Sequence, residues 1–551
     1  MLDNYQTWCE RVTDHDVAEQ LLQMKNDDER RTYAFCQHLS FGTAGIRGIM
    51  DAGINCMNIY TVARATQGVA TYVKVVGGNR AVISYDSRNN STLFASITAT
   101  VFANNGIEVF ITADVQPTAF VSFATRQLNA TVGVMITASH NSKEYNGYKV
   151  YNSHGVQIDV PTAEIISQYI SEQDFFSINL NGYLNYCDNQ VIKYISDELI
   201  DKYIECIYQQ SQQDIGAIDV IYTPLNGAGY RIVPRVLGER GLKKLTVVRE
   251  QSFINGDFTT CPVPNPEKKQ ALELGIEYML KNDADILIAT DPDCDRVGVA
   301  VNQQGQAIIL TGNQVGVLLC DYLLTVRRDN GTLPDNPIVV DSIVTTKLIN
   351  KIINRYNGSC VSVLTGFKYI GEYITLMESK GKQGDIILGF EESCGYLVGS
   401  YVRDKDGVVA CMLIAQMASY HKSNGLTLLD RLNQIFDYYG RYEDNTVVLT
   451  FSGADGDNRR RQCMSKLRNT DFDSISGKHL QSKTDLLSSN NLQLPSADVL
   501  IYQFEGDNRI IVRPSGTEPL IKLYVSCCMS QDDAYAFCMN AEQFFKNIFI
   551  S

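Results

Sequence analysis

Asp291-Pro292-Asp293-Cys294-Asp295-Arg296 sets three carboxylates at alternate positions directly after the apolar run Asp285–Thr290. A short β-branched run of that kind suits a strand buried in a parallel sheet, and ligands meet such sheets at the carboxyl ends of their strands. Three acids crowded there repel one another unless a cation lies between them. A hard divalent ion with oxygen ligands, Mg²⁺ before others, suits the set; a solvated acidic turn is the plain alternative. Thr137-Ala138-Ser139-His140-Asn141 follows a second such run, Val132–Ile136, and so places Ser139 on a strand-end loop. No G-x-S-x-G elbow surrounds that serine. It reads either as a polar turn capped by Asn141 or as a hydroxyl that carries a phosphoryl group beside a cation.

Further segments have the composition of anion sites. Arg513-Pro514-Ser515-Gly516-Thr517-Glu518-Pro519 offers a guanidinium fork, two hydroxyls and a glycine that admits close backbone approach, though an ordinary turn is written the same way. Gly42-Thr43-Ala44-Gly45-Ile46-Arg47-Gly48 surrounds one buried-looking cation with glycines. Asn146-Gly147-Tyr148-Lys149 closes the serine loop with a lysine, and Thr365-Gly366-Phe367-Lys368 and Asp404-Lys405-Asp406-Gly407 bring two more. Singly these are surface lysines; gathered on strand-end loops they would focus a positive field on an anionic substrate. In Gly389-Phe390-Glu391-Glu392-Ser393-Cys394-Gly395 the acids and the serine suit sugar hydroxyls, or else a helix N-terminus.

The elements that must hold these loops alternate. Thr13 with Asp16 predicts a helix start. Strands at 81–85, 107–111 and 132–136 with a helix over 92–104 make one α/β cycle. Strands at 218–222, 245–248 and 285–290 with helices over 230–241 and 267–281 make a second. A helix from 311 to 324 and strands at 337–341 and 385–389 make a third. Beyond residue 440 the texture changes to strands at 447–451, 499–504, 508–512 and 520–525, closed by a helix over 530–548. That is α+β.

At 551 residues the chain exceeds a single core, and 44% hydrophobic with 20% charged residues is ordinary for a globular protein. A net charge of −14 speaks against nucleic-acid or anionic-membrane surfaces. Fifteen cysteines, odd in number and without a C-x-x-C pair, read as reduced thiols of a cytoplasmic protein with no zinc site. No signal peptide and no membrane-spanning run is visible.

Taken together, five of these motifs, in order from Gly42 to Pro519, resemble the α-D-phosphohexomutase family, nearest its phosphoglucomutase-2-like branch. The resemblance implies three similar α/β domains with mixed sheets and a smaller C-terminal α+β domain around one cleft, here 1–206, 207–308, 309–438 and 439–551. It implies reversible transfer of phosphate between the 1- and 6-positions of glucose, or of mannose or a pentose on the same scaffold. A phosphorylated Ser139 and glucose 1,6-bisphosphate as intermediate and activator would carry the transfer. One Mg²⁺ per chain would be held by Asp291, Asp293, Asp295 and Ser139. Arg47, Arg296 and His140 would stabilise charge, and Lys149 and Lys405 would handle the proton. Arg296, Gly366, Lys368, Glu391, Ser393, Arg513, Ser515, Gly516 and Thr517 would bind substrate, and the last domain would close over it. Two positions depart from the family: Asn226 stands where the branch commonly has His, and Cys294 where a small Ala or Gly is usual. Two other readings stand beside this one. A haloacid-dehalogenase-type phosphatase would use Asp291 as nucleophile, and a non-catalytic protein would only bind sugar phosphates.

Overall fold

The computed structural model describes residues 2–42, 45–451, 456–488, 494–515 and 520–550. They form two compact units, Met1–Pro334 with Phe367–Leu428, and Asp335–Gly366 with Leu429–Ser551.

The first unit holds two mixed sheets. One is built from β1 (Ile46–Ile49), β2 (Arg80–Tyr85), β3 (Glu108–Ile111), β4 (Val132–Ile136), β5 (Tyr145–Asn152) and β6 (Ile192–Tyr194), in the order β1-β5-β4-β2-β3-β6. β4, β2, β3 and β6 are parallel, while β5 runs antiparallel to both β4 and β1. Every residue of β4 is buried, as its unbroken apolar run requires when helices cover both faces. The helices Ile59–Val75, Ser91–Asn104, Thr118–Gln127 and Val160–Ser171 supply that cover. The N-terminal helices join the same core, where Trp8 meets the rings of Phe35, Tyr60, Phe175 and Phe176 edge-on.

The second sheet has β7 (Asp219–Thr223), β8 (Lys244–Val247), β9 (Ile286–Thr290), β10 (Val297–Gln303) and β11 (Gln306–Leu310), in the order β11-β10-β9-β7-β8. Leu272 and Met279 of the helix Lys269–Lys281 bury against Leu287 and Ala289 of β9. A hairpin of Ile386–Glu391 and Gly395–Leu397 also belongs to this unit. So does the helix Gly407–Ser423, whose first turn is capped by the Asp406 carboxylate. Arg403, 1% exposed, ties its own loop to the helix Phe367–Ser379: it binds Glu378, Thr375 Oγ1 and the carbonyls of Ser400 and Val402. Glu378 is shared with Arg126 at 2.7 Å.

The second unit contains the parallel strands Ile338–Ser342 and Ser359–Val363. It also has a six-stranded antiparallel sheet ordered Tyr442–Thr450, Leu520–Cys528, Asn508–Pro514, Leu500–Phe504, Lys478–Asp485, Ser474–Ile475. The helices Gly456–Arg468 and Gln531–Ile550 cover one face, with Leu467, Phe537 and Phe545 buried against Leu500, Leu523 and Val512.

The alternation read from the sequence holds, with local corrections. Asn146–Lys149 is not a loop but part of β5, an outcome the mixed polar and apolar run concealed. Arg47 lies on β1 and is exposed rather than buried, because its neighbours Ile46 and Gly48 take the inward face. Arg513 is the next-to-last residue of the strand Asn508–Pro514 rather than the start of a loop. The helix predicted from Thr13 is capped by Asp14, whose carboxylate accepts from Val17 N at 3.0 Å. No helix among the described residues is long and apolar enough to cross a membrane.

Candidate active site

β4 and β9 each end in the loop that the sequence singles out, and the fold brings the two together within the first unit. Ser139 is 3% exposed and sits at φ +53°, a left-handed conformation uncommon for serine. Its amide donates to Thr137 Oγ1 at 2.8 Å. Its hydroxyl donates to Asp291 Oδ2 at 2.9 Å and lies 3.2 Å from His140 Nδ1. Asp291 Oδ1 accepts from the backbone amides of Asp295 and Arg296, both at 3.0 Å, so the acidic loop curls around its first carboxylate.

Two lysines interleave with the acids. Lys149 Nζ donates to Asp293 Oδ2 at 2.8 Å and lies 3.5 Å from Asp295 Oδ2. Lys405 Nζ lies 3.2 Å from both Asp295 Oδ2 and Asp404 Oδ1. Tyr151 OH and Gln157 Nε2 donate to the far oxygen of Asp404, each at 2.8 Å. Burial opposes charge on both lysines, but Asp293 and Asp295 for Lys149, and Asp295, Asp404 and Glu391 for Lys405, reverse it and hold the ammonium groups above the usual lysine range. Burial, reinforced by Asp293 and Asp295, drives the Asp291 carboxyl well above the usual carboxylate range. Burial pushes Asp293 the same way, yet Lys149 and the Thr118 hydroxyl outweigh it and leave that acid far below. Burial, then the charges of Arg296 and Arg47, keep His140 well below its ordinary value, so at neutral pH it is an uncharged ring.

A cation fits this set. Asp291, Asp293 and Asp295 are buried, and one ligand oxygen from each lies within 4.8 Å of the others. Asp293 Oδ1 and Asp295 Oδ1 are buried and have no hydrogen-bond partner among the described residues. Unpaired buried carboxylate oxygens are costly, and an all-oxygen donor set belongs to hard ions such as Mg²⁺.

Other predicted residues gather nearby. Arg47 Nη1 donates to Asn141 Oδ1 at 2.9 Å, reaching the serine loop from β1. Arg296 is ion-paired with Glu267 and lies 3.9 Å from Asp295. Glu391, 6% exposed, ends its strand opposite Gly395, with Ser393 half-buried in the turn between them. Lys368 opens the helix Phe367–Ser379, and burial lowers its pKa. Gly366, at φ +122°, Arg513 and Ser515 belong to the second unit; the Ser515 carbonyl accepts from Arg460 there. Gly516 and Thr517 lie outside the described residues.

Asp86, Arg88, Thr118 and Asp404 also touch this constellation and are absent from the sequence-based list. Asp86-Ser87-Arg88 follows β2 directly, so the same strand-end signal that marks Ser139 was present for it. The two departures are structural. Cys294 is fully buried at φ +54°, which accounts for a small residue being usual there, and Gly407 comes so close that a Cβ would stand 2.5 Å from the Cys294 carbonyl oxygen. Asn226, at φ +60°, fastens the loop after β8: its side chain donates to the Phe253 carbonyl at 2.9 Å and its amide to that of Gln251 at 3.0 Å.

Four family models match in sequence. Phosphoglucomutase/phosphomannomutase alpha/beta/alpha domains I, II and III match residues 38–177, 201–305 and 311–439, and the C-terminal domain of that family matches 499–542. A phosphoglucomutase of Staphylococcus aureus (strain MRSA252) is 35% identical over 545 residues, covering 96% of both chains. Among solved structures, a phosphoglucomutase/phosphomannomutase family protein from Burkholderia thailandensis superposes with a TM-score of 0.68 at 17% identity, covering 92% of this chain and 97% of that one. N-acetylphosphoglucosamine mutase from Aspergillus fumigatus, in complex with GlcNAc-6P and magnesium, gives 0.51 at 12% identity, covering 93% and 96%. Three α/β domains and a C-terminal domain in this order, aligned nearly end to end with a phosphoglucomutase, place the chain in the phosphoglucomutase/phosphomannomutase family, as an intramolecular phosphotransferase of the isomerase class.

Proposed function

We propose that this enzyme interconverts glucose 1-phosphate and glucose 6-phosphate in the cytoplasm, through phosphorylated Ser139 and a glucose 1,6-bisphosphate intermediate. The observation that carries the reading is the Ser139 hydroxyl, buried and 2.9 Å from Asp291 at the edge of the three-acid cluster. A Mg²⁺ held by Asp291, Asp293 and Asp295 would supply charge neutralisation for the phosphoryl oxygens. The domains divide the labour: 1–206 carries the serine, 207–308 the acids, 309–438 the sugar loop and 439–551 the phosphate loop.

Phosphorylated Ser139 gives its phosphoryl group to the free hydroxyl of the bound hexose phosphate. The bisphosphate turns end for end and returns its other phosphate to Ser139. Arg47 and Arg296 place cations beside the transferring oxygens. His140, whose ring lies 3.2 Å from the Ser139 hydroxyl, donates an N–H to the same oxygens. Lys149 and Lys405 stay protonated while Asp293, Asp295 and Asp404 face them. With the carboxylates holding a cation, that hold on the lysines would weaken, so one of them could give up its proton and, as the neutral amine, accept the proton of the attacking sugar hydroxyl. Glu391 and Ser393 would read ring hydroxyls, Gly366 and Lys368 would bind substrate, and Arg513, Ser515, Gly516 and Thr517 would form the phosphate loop. Phosphate-ester hydrolysis is among the slowest uncatalysed reactions, with accelerations up to ~10²¹-fold, so positioning and electrostatics must supply nearly all of the rate.

The glucose assignment follows the Staphylococcus aureus relative, and kcat/KM for glucose 1-phosphate, mannose 1-phosphate and ribose 1-phosphate, measured with catalytic bisphosphate, tests it. Glucose 1-phosphate is expected to lead; a higher value for ribose 1-phosphate would make the enzyme a phosphopentomutase. Cys294 takes no part in this scheme. Cys294→Ala is expected to keep kcat within about threefold and to lower stability by about 1 kcal/mol through the lost buried thiol. A tenfold drop in kcat without a change in the melt would show that the thiol does participate.

A further inference from the structure

The serine loop is gathered from beneath by one side chain. Arg88, with its guanidinium fully buried, donates from Nη1 to the carbonyls of Ser142 at 2.8 Å and Tyr145 at 3.1 Å. From Nη2 it donates to the carbonyls of Ser139 and Asn141, both at 2.5 Å. Four carbonyls of one seven-residue turn thus converge on a single planar fork, a geometry that suits arginine and that lysine cannot reproduce. Asp86 braces the fork from the other side. Its Oδ2 lies 3.3 Å from Arg88 Nε and accepts from Thr137 Oγ1 at 2.6 Å, and Thr137 Oγ1 in turn accepts the Ser139 amide. Asp86 Oδ1 accepts from Arg88 N and from Ser91 Oγ, and Ser91 Oγ accepts from Asn146 Nδ2. The loop after β8 closes the stack: the Phe258 ring centroid lies 5.1 Å from the Arg88 guanidinium, and Asn89 Nδ2 donates to Asp257 Oδ1 at 3.1 Å.

A non-glycine residue held at positive φ costs of order 1–3 kcal/mol and persists only where its surroundings over-determine it. Ser139 is such a residue, and the Asp86–Arg88 pair is what over-determines it. We propose that Arg88, braced by Asp86, is the positioning residue of phosphoryl transfer: it holds the Ser139 backbone left-handed so that the hydroxyl points at the acid cluster. Arg88 touches carbonyls rather than the hydroxyl itself, so it acts through Ser139. The proposal rests on the phosphoserine reading above.

The test uses the full chain with Arg88→Lys, Arg88→Met, Thr137→Val and Ser139→Ala. It reads kcat, KM for glucose 1-phosphate, the single-turnover rate of phosphoryl transfer from phosphorylated enzyme, and the thermal melt. Misplacing a reacting group by an ångström costs about 100-fold. Arg88→Met is therefore expected to lose about 100-fold in kcat and in the single-turnover rate, with KM within about threefold. Arg88→Lys, which keeps the charge and loses the fork, is expected to recover less than about tenfold of that. Thr137→Val removes one link and is expected to cost about tenfold; it decides the matter if the Arg88 variants fail to melt cooperatively. Arg88→Lys at wild-type kcat, or Thr137→Val at wild-type kcat, with Ser139→Ala inactive, overturns this proposal alone. Activity surviving in Ser139→Ala overturns the phosphoserine reading and takes this proposal with it.

Discussion

Ser139→Ala is expected to lose roughly 10⁴-fold or more in mutase kcat, the scale seen when a group that accepts a covalent intermediate is removed. The substrate cannot pass its phosphate from one end of the ring to the other unaided, since the two hydroxyls lie too far apart; a protein group must hold it in between. Among the described residues near the acid cluster, Ser139 offers a buried hydroxyl 2.9 Å from Asp291. The change removes one oxygen and leaves the Arg88 and Thr137 bonds to the backbone intact, so the melt should hardly move. Peptide mass spectrometry after incubation with glucose 1,6-bisphosphate should find an added phosphate on the wild-type 137–141 segment and none on the variant. Threonine restores the hydroxyl but brings a β-branch to φ +53°, where such residues are strained, so Ser139→Thr should regain little. An acyl-phosphate on Asp291, labile to hydroxylamine, would instead establish the phosphatase chemistry.

Chelation of divalent cations is expected to reduce activity about 10³-fold and to lower the melting temperature, with Mg²⁺ restoring both. Electrostatic stabilisation by a bound ion is worth several kcal/mol, and each 1.36 kcal/mol is about a factor of ten in rate. The stability readout is independent of turnover. An ion at about 100 times its dissociation constant adds about 2.7 kcal/mol to the folded state. Asp293→Asn and Asp295→Asn should each abolish the Mg²⁺-dependent rise in melting temperature, since each loses a buried oxygen that has no other hydrogen-bond partner among the described residues. Full activity after exhaustive dialysis against chelator would sink the metal assignment.

The acid loop and the serine loop were legible because each follows an apolar run that can only be a buried strand, and a strand end is where a sheet exposes function. The fold brings the two loops together, which spacing along the chain could not show: residues 139 and 291 come from two different sheets. Lys149 was found by type but misplaced by element. β5 mixes Asn, Gly, Lys and Val with three tyrosines and so carries no apolar signature, although it pairs antiparallel with β4, Met135 opposite Lys149. Arg88 escaped because its task is to bind backbone carbonyls, and residue type alone does not name a carbonyl as a partner. Asp404 was quoted beside Lys405 but given no role, its partners Tyr151 and Gln157 lying about 250 positions away.

Asp404, Lys405, Asp295, Lys149 and Asp293 form a file of alternating sign, each member held by the next. Deleting one strands its neighbours, so the effects of single changes along the file on folding stability will not sum, and paired changes of opposite sign will cost the fold less than either alone. In a diverging lineage these positions therefore resist one-step drift. A compensated double replacement spares the fold but forfeits the cation's oxygens, so neither the single nor the double step is open to a working enzyme.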